Sequence, residues 1–248
     1  MKKSKKTSSQ DTIYAAQQGA VGKFSFNQQV VDVFPDMINR SVPSYQNIIE
    51  GIGKIANLLC SSSPVIYDLG CSLGNVSLSI AKHALSKQPK IMGIDNSLAM
   101  IERCQQHIDA FSFGNSISLQ QGDLVKITLE PCNMAVVNFT LQFIESAQRQ
   151  GIINNIYNAL APNGIFVLSE KIKSVENDLD CVLIDLHHDF KRENGYSDLE
   201  ISQKRSALED VMKLDTIETH SERLRQAGFS KMCVWYQHFN FVSILAIK

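Results

Sequence analysis

Two carboxylates at the ends of apolar runs flank a glycine-bearing loop, and this arrangement is suited to binding a nucleoside. Asp68 follows the apolar run that starts at Val65, and the loop that begins at Gly70 reads Gly-Cys-Ser-Leu-Gly. Asp95 ends the next apolar run, 27 residues after Asp68 (95 − 68). Glycines let the backbone approach a ligand closely, and an acid at the end of the second strand can accept both hydroxyls of a ribose. An ordinary strand-turn-helix would explain Gly70 and Gly74 alone, whereas Asp95 at this distance favours a cofactor site.

The loop favours S-adenosylmethionine over a dinucleotide. It reads Asp-x-Gly-Cys-Ser-x-Gly from Asp68 to Gly74, and the dinucleotide pattern Gly-x-Gly-x-x-Gly is absent. A dinucleotide needs several close approaches of the backbone to its pyrophosphate. S-adenosylmethionine has no phosphate and needs only room for its methionine part. The small side chain of Cys71 fits a tight turn, so no reactive thiol is needed to explain it.

Further polar residues stand at the ends of later apolar runs. Asp123 can accept a hydrogen bond from the exocyclic amine of adenine, and Leu124 supplies a backbone amide. Asn138 ends the run that begins near residue 133. A ligand contact and a simple capping role are equally good explanations of Asn138.

The elements that would position these residues alternate between strand and helix. This order predicts an α/β fold with a mostly parallel sheet, right-handed crossovers and a ligand at the carboxyl ends of the strands. An antiparallel edge strand is expected at 241–247. The predicted strands lie near 64–69, 90–95, 116–121, 133–139, 163–169, 232–237 and 241–247, and the predicted helices near 26–40 (with a break or kink at Pro35), 45–60, 74–86, 97–110, 145–160 and 216–227.

Residues 171–215 interrupt the alternation with dense charge and a helical pattern, and we expect a helical insertion over the open edge of the site, which could also serve as a dimer contact. The neighbours His187 and His188 point about 100° apart on a helix, so they are expected as a partly buried pair and not as metal ligands. The pairs Lys191-Arg192 and Lys204-Arg205 are expected on a solvated face. Arg205 is a candidate ligand-binding residue only if the insertion folds over the cleft, because a guanidinium there could hold a carboxylate in bidentate fashion.

Composition limits the classes of protein. With 248 residues, 44% apolar residues and a net charge of −1, the chain suits one globular domain and does not suit a nucleic-acid-wrapping surface. Six scattered cysteines without a C-x-x-C pair favour reduced thiols in a cytosol, and neither a membrane span nor a signal peptide is expected. We therefore expect a cytoplasmic protein without a metal, with a loosely ordered tail over 1–23 and one domain over 24–248.

Several longer motifs resemble one family, the carboxy-S-adenosylmethionine synthases, which are bacterial relatives of the class I methyltransferases. The resemblance extends from about Phe24 to Lys248. The loop motif is shared with many methyltransferases, whereas the insertion motifs are specific to the family. The motifs are Val-Phe-Pro-Asp-Met-Ile (33–38), Tyr-Asp-Leu-Gly-Cys-Ser-Leu-Gly (67–74), Ile-Asp-Asn-Ser (94–97), Met-Ile-Glu-Arg-Cys (100–104), Asn-Phe-Thr-Leu-Gln-Phe (138–143), His-His-Asp-Phe-Lys-Arg (187–192) and Glu-Ile-Ser-Gln-Lys-Arg-Ser (200–206).

The resemblance implies a Rossmann-like methyltransferase fold and a reaction that is not methyl transfer. Prephenate supplies a carboxyl group to the methyl carbon of S-adenosylmethionine, which leaves phenylpyruvate and water, and the product serves another enzyme that modifies the wobble uridine (cmo5U34) of tRNA. The family works as a homodimer and has no metal. Arg205 would hold the new carboxylate as the catalytic residue, either from its own subunit or from the partner. The cofactor-binding set implied by the resemblance is Tyr45, Gly70, Cys71, Ser72, Asp95, Asn96, Asp123, Leu124, Asn138 and Arg205.

Two other functions remain open from the sequence. One is an ordinary S-adenosylmethionine-dependent methyltransferase that acts on a small molecule or RNA. The other is a non-catalytic carrier that passes the cofactor product to the tRNA-modifying enzyme. Direct binding of tRNA is not expected from the charge balance.

Overall fold

The computed structural model describes residues 10–19 and 21–248. Within them, two helices precede the first strand, strands and helices mostly alternate over 65–171, and three helices and two strands follow. The helices are α1 (Gln28–Ser41), α2 (Tyr45–Leu59), α3 (Asn75–His83), α4 (Leu98–Ile108), α5 (Ser146–Ala159), α6 (Asn177–Glu193), α7 (Asp198–Glu209) and α8 (Ile217–Ala227). The strands are β1 (Val65–Leu69), β2 (Lys90–Asp95), β3 (Ile117–Gln121), β4 (Cys132–Asn138), β5 (Leu160–Lys171), β6 (Lys231–His238) and β7 (Phe241–Ile247).

In the described part of the chain the strands form one seven-stranded sheet in the order β3-β2-β1-β4-β5-β7-β6. The first five strands are parallel, and β7 pairs antiparallel with both β5 and β6. The chain therefore reverses its direction of travel across the sheet after β3, when it returns to place β4 beside β1. In open α/β sheets such a switch point leaves a crevice at the carboxyl ends of the strands, where ligands bind.

The central strands are buried on both faces because helices cover the sheet on both sides. Ile66 of β1 packs with Ile52 of α2 and Ile80 of α3 on one face. Its neighbour Tyr67 points the opposite way and packs in the cluster that contains Ile153 of α5. Alternate residues of β1 thus enter two separate cores, as strand geometry requires.

The predicted fold is confirmed, with two local differences. α1 continues through Pro35, where Phe34 and Met37 are buried, so the predicted break is absent and the alternative, a kink, stays a prediction. β7 is antiparallel as predicted, but the edge strand is β6, since the β6–β7 hairpin inserts β7 beside β5. β7 is almost wholly buried, whereas β6 is partly exposed along its length, which fits these positions.

The predicted insertion contains α6 and α7, which lie near the site together with residues that precede α1. Asp11 and Tyr14 are buried, and Asp11 Oδ2 accepts a hydrogen bond from the Tyr196 hydroxyl at 2.5 Å. The loosely ordered tail over 1–23 and the single domain over 24–248 stay predictions, and residues 1–9 and 20 of that tail lie outside the described residues. In the described ranges, no helix combines the length and apolar character needed to cross a bilayer.

Candidate active site

The loop after β1 has a backbone that requires glycine at two positions. Gly70 has φ +83°, and a Cβ there would lie 2.2 Å from Thr140 Oγ1. Gly74 has φ +78°, and a Cβ there would lie 2.7 Å from Cys104 Sγ. A side chain at either residue would be both strained and in collision. The loop is anchored to β2, since the amides of Gly70 and Cys71 both donate to Ile94 O, at 2.7 and 3.0 Å.

The Asp95 carboxylate holds this loop against the start of α4. Its Oδ2 accepts from Ser72 N at 2.9 Å, and its Oδ1 accepts from Ser97 N at 2.9 Å. Burial raises the pKa of Asp95, and the backbone hydrogen bonds oppose that rise. A carboxylate has about four acceptor positions, so roughly two stay available for the hydroxyls of a ribose.

Asp123 and Leu124 follow β3 at the same edge of the sheet. Asp123 Oδ1 accepts from Val125 N at 3.0 Å, and its Oδ2 lies 3.3 Å from Lys126 Nζ. The hydrogen bond from Val125, and then the contact with Lys126, lower the pKa of Asp123. Asp123 is therefore ionised at neutral pH and can accept a hydrogen bond from an adenine amine.

Asn138, at the end of β4, has a polar atom without a partner. Its Oδ1 is buried and has no hydrogen-bond partner in the described structure, although the residue lines the cavity. Buried amide oxygens nearly always have a partner, so this atom fits a ligand that donates a hydrogen bond. S-adenosylmethionine can donate one through its ammonium group. The residues present thus fit this cofactor.

Tyr45 and Cys71 line the same cavity in unreactive forms. The Tyr45 hydroxyl accepts from Asn75 Nδ2 at 3.3 Å, and burial raises the pKa of Tyr45 to about 12, so it stays a neutral phenol. The hydrogen bond to Cys104, together with burial, raises the pKa of Cys71. The thiol is therefore protonated, in agreement with the prediction that Cys71 is not a reactive group.

These residues surround one cavity of about 360 Å³, a volume typical of small-molecule sites. Nine of the ten residues predicted to bind cofactor line it, and their individual roles stay predictions. The nine are Tyr45, Gly70, Cys71, Ser72, Asp95, Asn96, Asp123, Leu124 and Asn138.

Arg205 is the tenth, and it is exposed on α7 and does not line the cavity in the single chain. It still lies near enough for its charge to help lower the pKa of Lys171 and of Lys191. Its predicted contact with a carboxylate therefore needs either a movement of the side chain or the partner subunit, and stays a prediction.

The expectation of a solvated face was wrong for two lysines. Lys191 is 7% exposed and Lys204 is 5% exposed, and both line the cavity together with Lys171 and His187. Lys191 stands one helical turn after His187, and this i, i+4 spacing is the signal that could have placed both on one face of α6. Burial of Lys204 depends on Asp11, which is distant in sequence, so no local pattern could have revealed it.

Aromatic residues that precede α1, together with Phe143, line one side of the cavity, and they were not among the predicted site residues. The ring centroids of Phe24 and Phe26 are 5.1 Å apart, and those of Phe26 and Phe143 are 5.3 Å apart. All three residues line the cavity. Such a wall excludes water from the site.

The histidine pair is placed as predicted, with His187 buried and His188 half-buried, and the ring centroids lie 6.4 Å apart. Among residues 10–19 and 21–248, no group of three or more His, Cys, Asp or Glu side chains is arranged to hold a metal ion. All six cysteines are free.

Comparison with solved structures places the fold among the methyltransferases. A putative S-adenosylmethionine-dependent methyltransferase from Methanococcus maripaludis matches with a TM-score of 0.60 at 19% identity, over 93% of this chain and 97% of that chain. Human N-acetylserotonin methyltransferase in complex with S-adenosylmethionine matches with a TM-score of 0.59 at 18% identity, over 89% of this chain and 55% of that chain. Both likenesses concern the fold alone. The family model described as "Methyltransferase domain" matches residues 66–164.

Curated relatives match nearly the whole length. A protein from Colwellia psychrerythraea named carboxy-S-adenosyl-L-methionine synthase is 50% identical over 238 residues, which are 96% of this chain and 98% of that protein. Proteins of the same name from Histophilus somni and Yersinia enterocolitica are also 50% identical over 96% of this chain, covering 99% and 90% of their own lengths. The resemblance inferred from the motifs is thereby confirmed, and the chain belongs to the carboxy-S-adenosyl-L-methionine synthase family.

Proposed function

We propose that this protein converts S-adenosylmethionine and prephenate to carboxy-S-adenosylmethionine, phenylpyruvate and water. The observation that carries the proposal is 50% identity to synthases of that name over 96% of the chain. The cavity supports it, since nine of ten predicted cofactor residues line it and an unpartnered Asn138 oxygen stands among them.

The reaction balances without an external oxidant or reductant. The bond between the prephenate ring and its carboxyl group breaks, and a bond forms between that carboxyl carbon and the methyl carbon of S-adenosylmethionine. The ring becomes aromatic as its hydroxide leaves, and the hydroxide and the displaced methyl proton become water. S-adenosylmethionine supplies a methyl group made acidic by the adjacent sulfonium charge.

The residues of this chain bind and enclose the reactants. Asp95 would hold the ribose, Asp123 and Leu124 the adenine, and the loop at Gly70 the methionine end. The Phe24–Phe26–Phe143 wall keeps water away from the reacting atoms, and the cavity positions the two reactants together. Arg205 would hold the new carboxylate. No strong protein base is required, because the substrate or its leaving hydroxide can take the methyl proton.

Four finer assignments rest on the family resemblance. We propose that the product serves wobble uridine (cmo5U34) modification of tRNA by a separate enzyme, that the protein acts as a homodimer, that it works in the cytoplasm, and that it needs no metal. The absence of direct tRNA binding is part of the same proposal and is supported by a net charge of −1.

The test is the mass of the product formed from purified protein, S-adenosylmethionine and prephenate. We expect a species heavier than S-adenosylmethionine by one carbon dioxide unit, together with phenylpyruvate. S-adenosylmethionine that stays unchanged, with S-adenosylhomocysteine formed once a methyl acceptor is supplied, would favour the ordinary methyltransferase instead. No turnover despite tight binding of the carboxylated cofactor would favour the carrier.

A further inference from the structure

The cavity has a second, basic half that the cofactor-binding residues do not account for. Lys171 stands at the end of β5, Lys191 on α6 and Lys204 on α7, and all three line the cavity. Lys191 and Lys204 are buried, and Lys171 is half-buried. Three consecutive elements of the chain thus bring ammonium groups to one cavity.

The protein neutralises only one of these three lysines. Lys204 Nζ lies 3.4 Å from Asp11 Oδ2 and donates to Ser41 Oγ at 3.0 Å. Among the described residues, neither Lys171 nor Lys191 has a carboxylate within 4.0 Å or a hydrogen-bond acceptor. Residues 1–9 and 20 contain no Asp or Glu, so they supply no carboxylate either. A buried ammonium without a counter-ion is costly and is rarely kept unless it has a ligand.

The neighbouring histidine adds no negative charge. His187 Nε2 donates to Ser41 O at 2.8 Å, and burial, with the charges of Lys171 and Lys191, lowers the pKa of His187 to about 2. The ring is therefore neutral at physiological pH. Burial, with the charge of Arg205, lowers the pKa of Lys171 to about 8. Burial, with the charges of Lys171, Lys204 and Arg205, lowers the pKa of Lys191 to about 7.

Aromatic side chains stand beside Lys171 in the same cavity. Lys171 Nζ lies 5.8 Å from the ring centroid of Phe241, whose ring is 4.9 Å from that of His187 and 5.9 Å from that of Phe139. Both phenylalanines line the cavity. A ligand that combines a flat hydrocarbon ring with negative charge would match this surface.

We propose that Lys171 and Lys191 form a dicarboxylate-binding subsite that holds the second substrate, with one ammonium group for each carboxylate and with Phe139 and Phe241 against its ring. The inference rests on the proposed function, because prephenate carries one carboxylate on its six-membered ring and a second one on its pyruvyl side chain. It assigns the recognition of the carboxyl donor to residues outside the cofactor-binding set. Two opposite charges are needed to bring a dianion into an enclosed cavity, and these two lysines supply them.

The test compares Lys171→Met and Lys191→Met with Lys173→Met as a matched control. Methionine keeps the length of the side chain and removes the charge, and Lys173 is an exposed residue of the same segment that does not line the cavity. The dissociation constant of S-adenosylmethionine is measured by calorimetry, and the KM for prephenate by product formation. Melting temperature reports folding, and Lys191→Arg serves as a variant that keeps the charge.

We expect the KM for prephenate to rise about 10-fold or more in each cavity variant, since hydrogen bonds between charged groups are the strong ones. S-adenosylmethionine affinity should change less than about two-fold, Lys191→Arg should lie nearer the wild type, and Lys173→Met should equal it. Melting temperatures of the methionine variants should not fall, because an unpaired buried charge is removed. Phenylpyruvate keeps only one carboxylate. In at least one methionine variant, its affinity relative to the wild type should therefore fall less than the affinity of prephenate does.

A KM for prephenate within about two-fold of the wild type in both cavity variants would overturn the subsite and leave the proposed function standing. If the wild type itself makes no carboxylated product, the proposed function fails. In that case the subsite is tested separately by calorimetry, in which prephenate is titrated into protein that is already loaded with S-adenosylmethionine. Binding that is lost in both variants supports it, and equal binding in the variants or no binding by the wild type overturns it.

Discussion

At the scale of single residues, the Asp95 carboxylate is shared between the protein backbone and the cofactor that we propose for the site. It receives one amide from the glycine-bearing loop and one from the start of α4, at Ser72 and Ser97. The same side chain therefore shapes the loop and has acceptor positions left for a ribose. Lys191 shows the reverse arrangement, because its ammonium group has no hydrogen-bond acceptor or carboxylate partner among the described residues, and we propose that the substrate supplies one.

Asp95→Asn should weaken the binding of S-adenosylmethionine by about 10- to 100-fold, because one carboxylate oxygen becomes an amide that cannot accept hydrogen bonds. Calorimetric titration measures the effect. Asp109→Asn is the matched control, since Asp109 is exposed at the end of α4 and does not line the cavity. Equal affinity in the two variants would refute the role assigned to Asp95.

The pH dependence of kcat/KM for prephenate should report the lysines of the subsite. The pKa of Lys191 is lowered to about 7 in the free protein, so its ammonium loses a proton as the pH rises through that value, and Lys171 follows at about 8. Since kcat/KM reports the free enzyme, we expect it to fall above pH 7 to 8. The other charged or titratable groups that act on Lys191 and its neighbours are His187, His188, Lys204, Arg205, Asp180, Asp11, Arg40 and Asp36.

In Lys191→Met the first part of this alkaline fall should disappear, leaving a lower and flatter profile. The same profile measured for Lys173→Met should match the wild type. A wild-type kcat/KM that stays constant from pH 6.5 to about 9 would contradict the assignment, because Lys191 would then not change its charge in the range expected from its lowered pKa.

At the scale of elements, the ends of the parallel strands could be predicted, and the surroundings of the lysines could not. The apolar runs that end at Asp68, Asp95 and Asn138 were sufficient to locate β1, β2 and β4, because a buried parallel strand is a short apolar segment. The burial of Lys204 required Asp11, and α1 tolerated Pro35 because neighbouring side chains are buried. Such features arise from tertiary packing, which local pattern does not encode.

β5 and the turn after β4 are joined by one buried carboxylate. Glu170 Oε1 accepts from Leu141 N at 2.8 Å, and its Oε2 accepts from Gln142 N at 2.9 Å. Glu170→Ala should lower the free energy of unfolding by at least about 1–3 kcal/mol, because two buried amides lose their acceptors. Cofactor affinity should fall as well, since this turn follows Asn138.

Urea unfolding measures the change in stability. Glu176→Ala is the control, because Glu176 is exposed and makes no side-chain cap bond at the start of α6, and it should alter stability by less than about 0.5 kcal/mol. If Glu170→Ala unfolds with the same free energy as this control, the carboxylate does not hold the turn.

At the scale of the whole molecule, the single chain leaves Arg205 outside the cavity and an apolar stripe on the surface. Leu179, Val182 and Leu186 recur along α6 at spacings of three and four residues and are exposed. Such a stripe suits a subunit contact. The homodimer is a proposal that would cover the stripe and allow Arg205 to act in the partner's site.

Mixed subunits test this arrangement. At an S-adenosylmethionine concentration well below the weakened dissociation constant of Asp95→Asn, this variant and Arg205→Ala should each be nearly inactive alone in carboxyl transfer. If Arg205 acts across the interface, subunit exchange between the two variants creates mixed dimers in which one of the two sites is intact. About half of the dimers in an equal mixture are mixed, so roughly a quarter of the wild-type activity should return. Without complementation, Arg205 would act within its own subunit through a movement of its side chain. Retained carboxyl transfer in Arg205→Ala would refute its predicted role.

Transfer of the carboxyl group from prephenate to S-adenosylmethionine can be followed with prephenate labelled with carbon-13 in the ring carboxylate. Mass spectrometry then shows where the label goes. We predict that the label appears in the S-adenosylmethionine-derived product in step with phenylpyruvate formation. An unlabelled product, or a methylated acceptor accompanied by S-adenosylhomocysteine, would contradict carboxyl transfer.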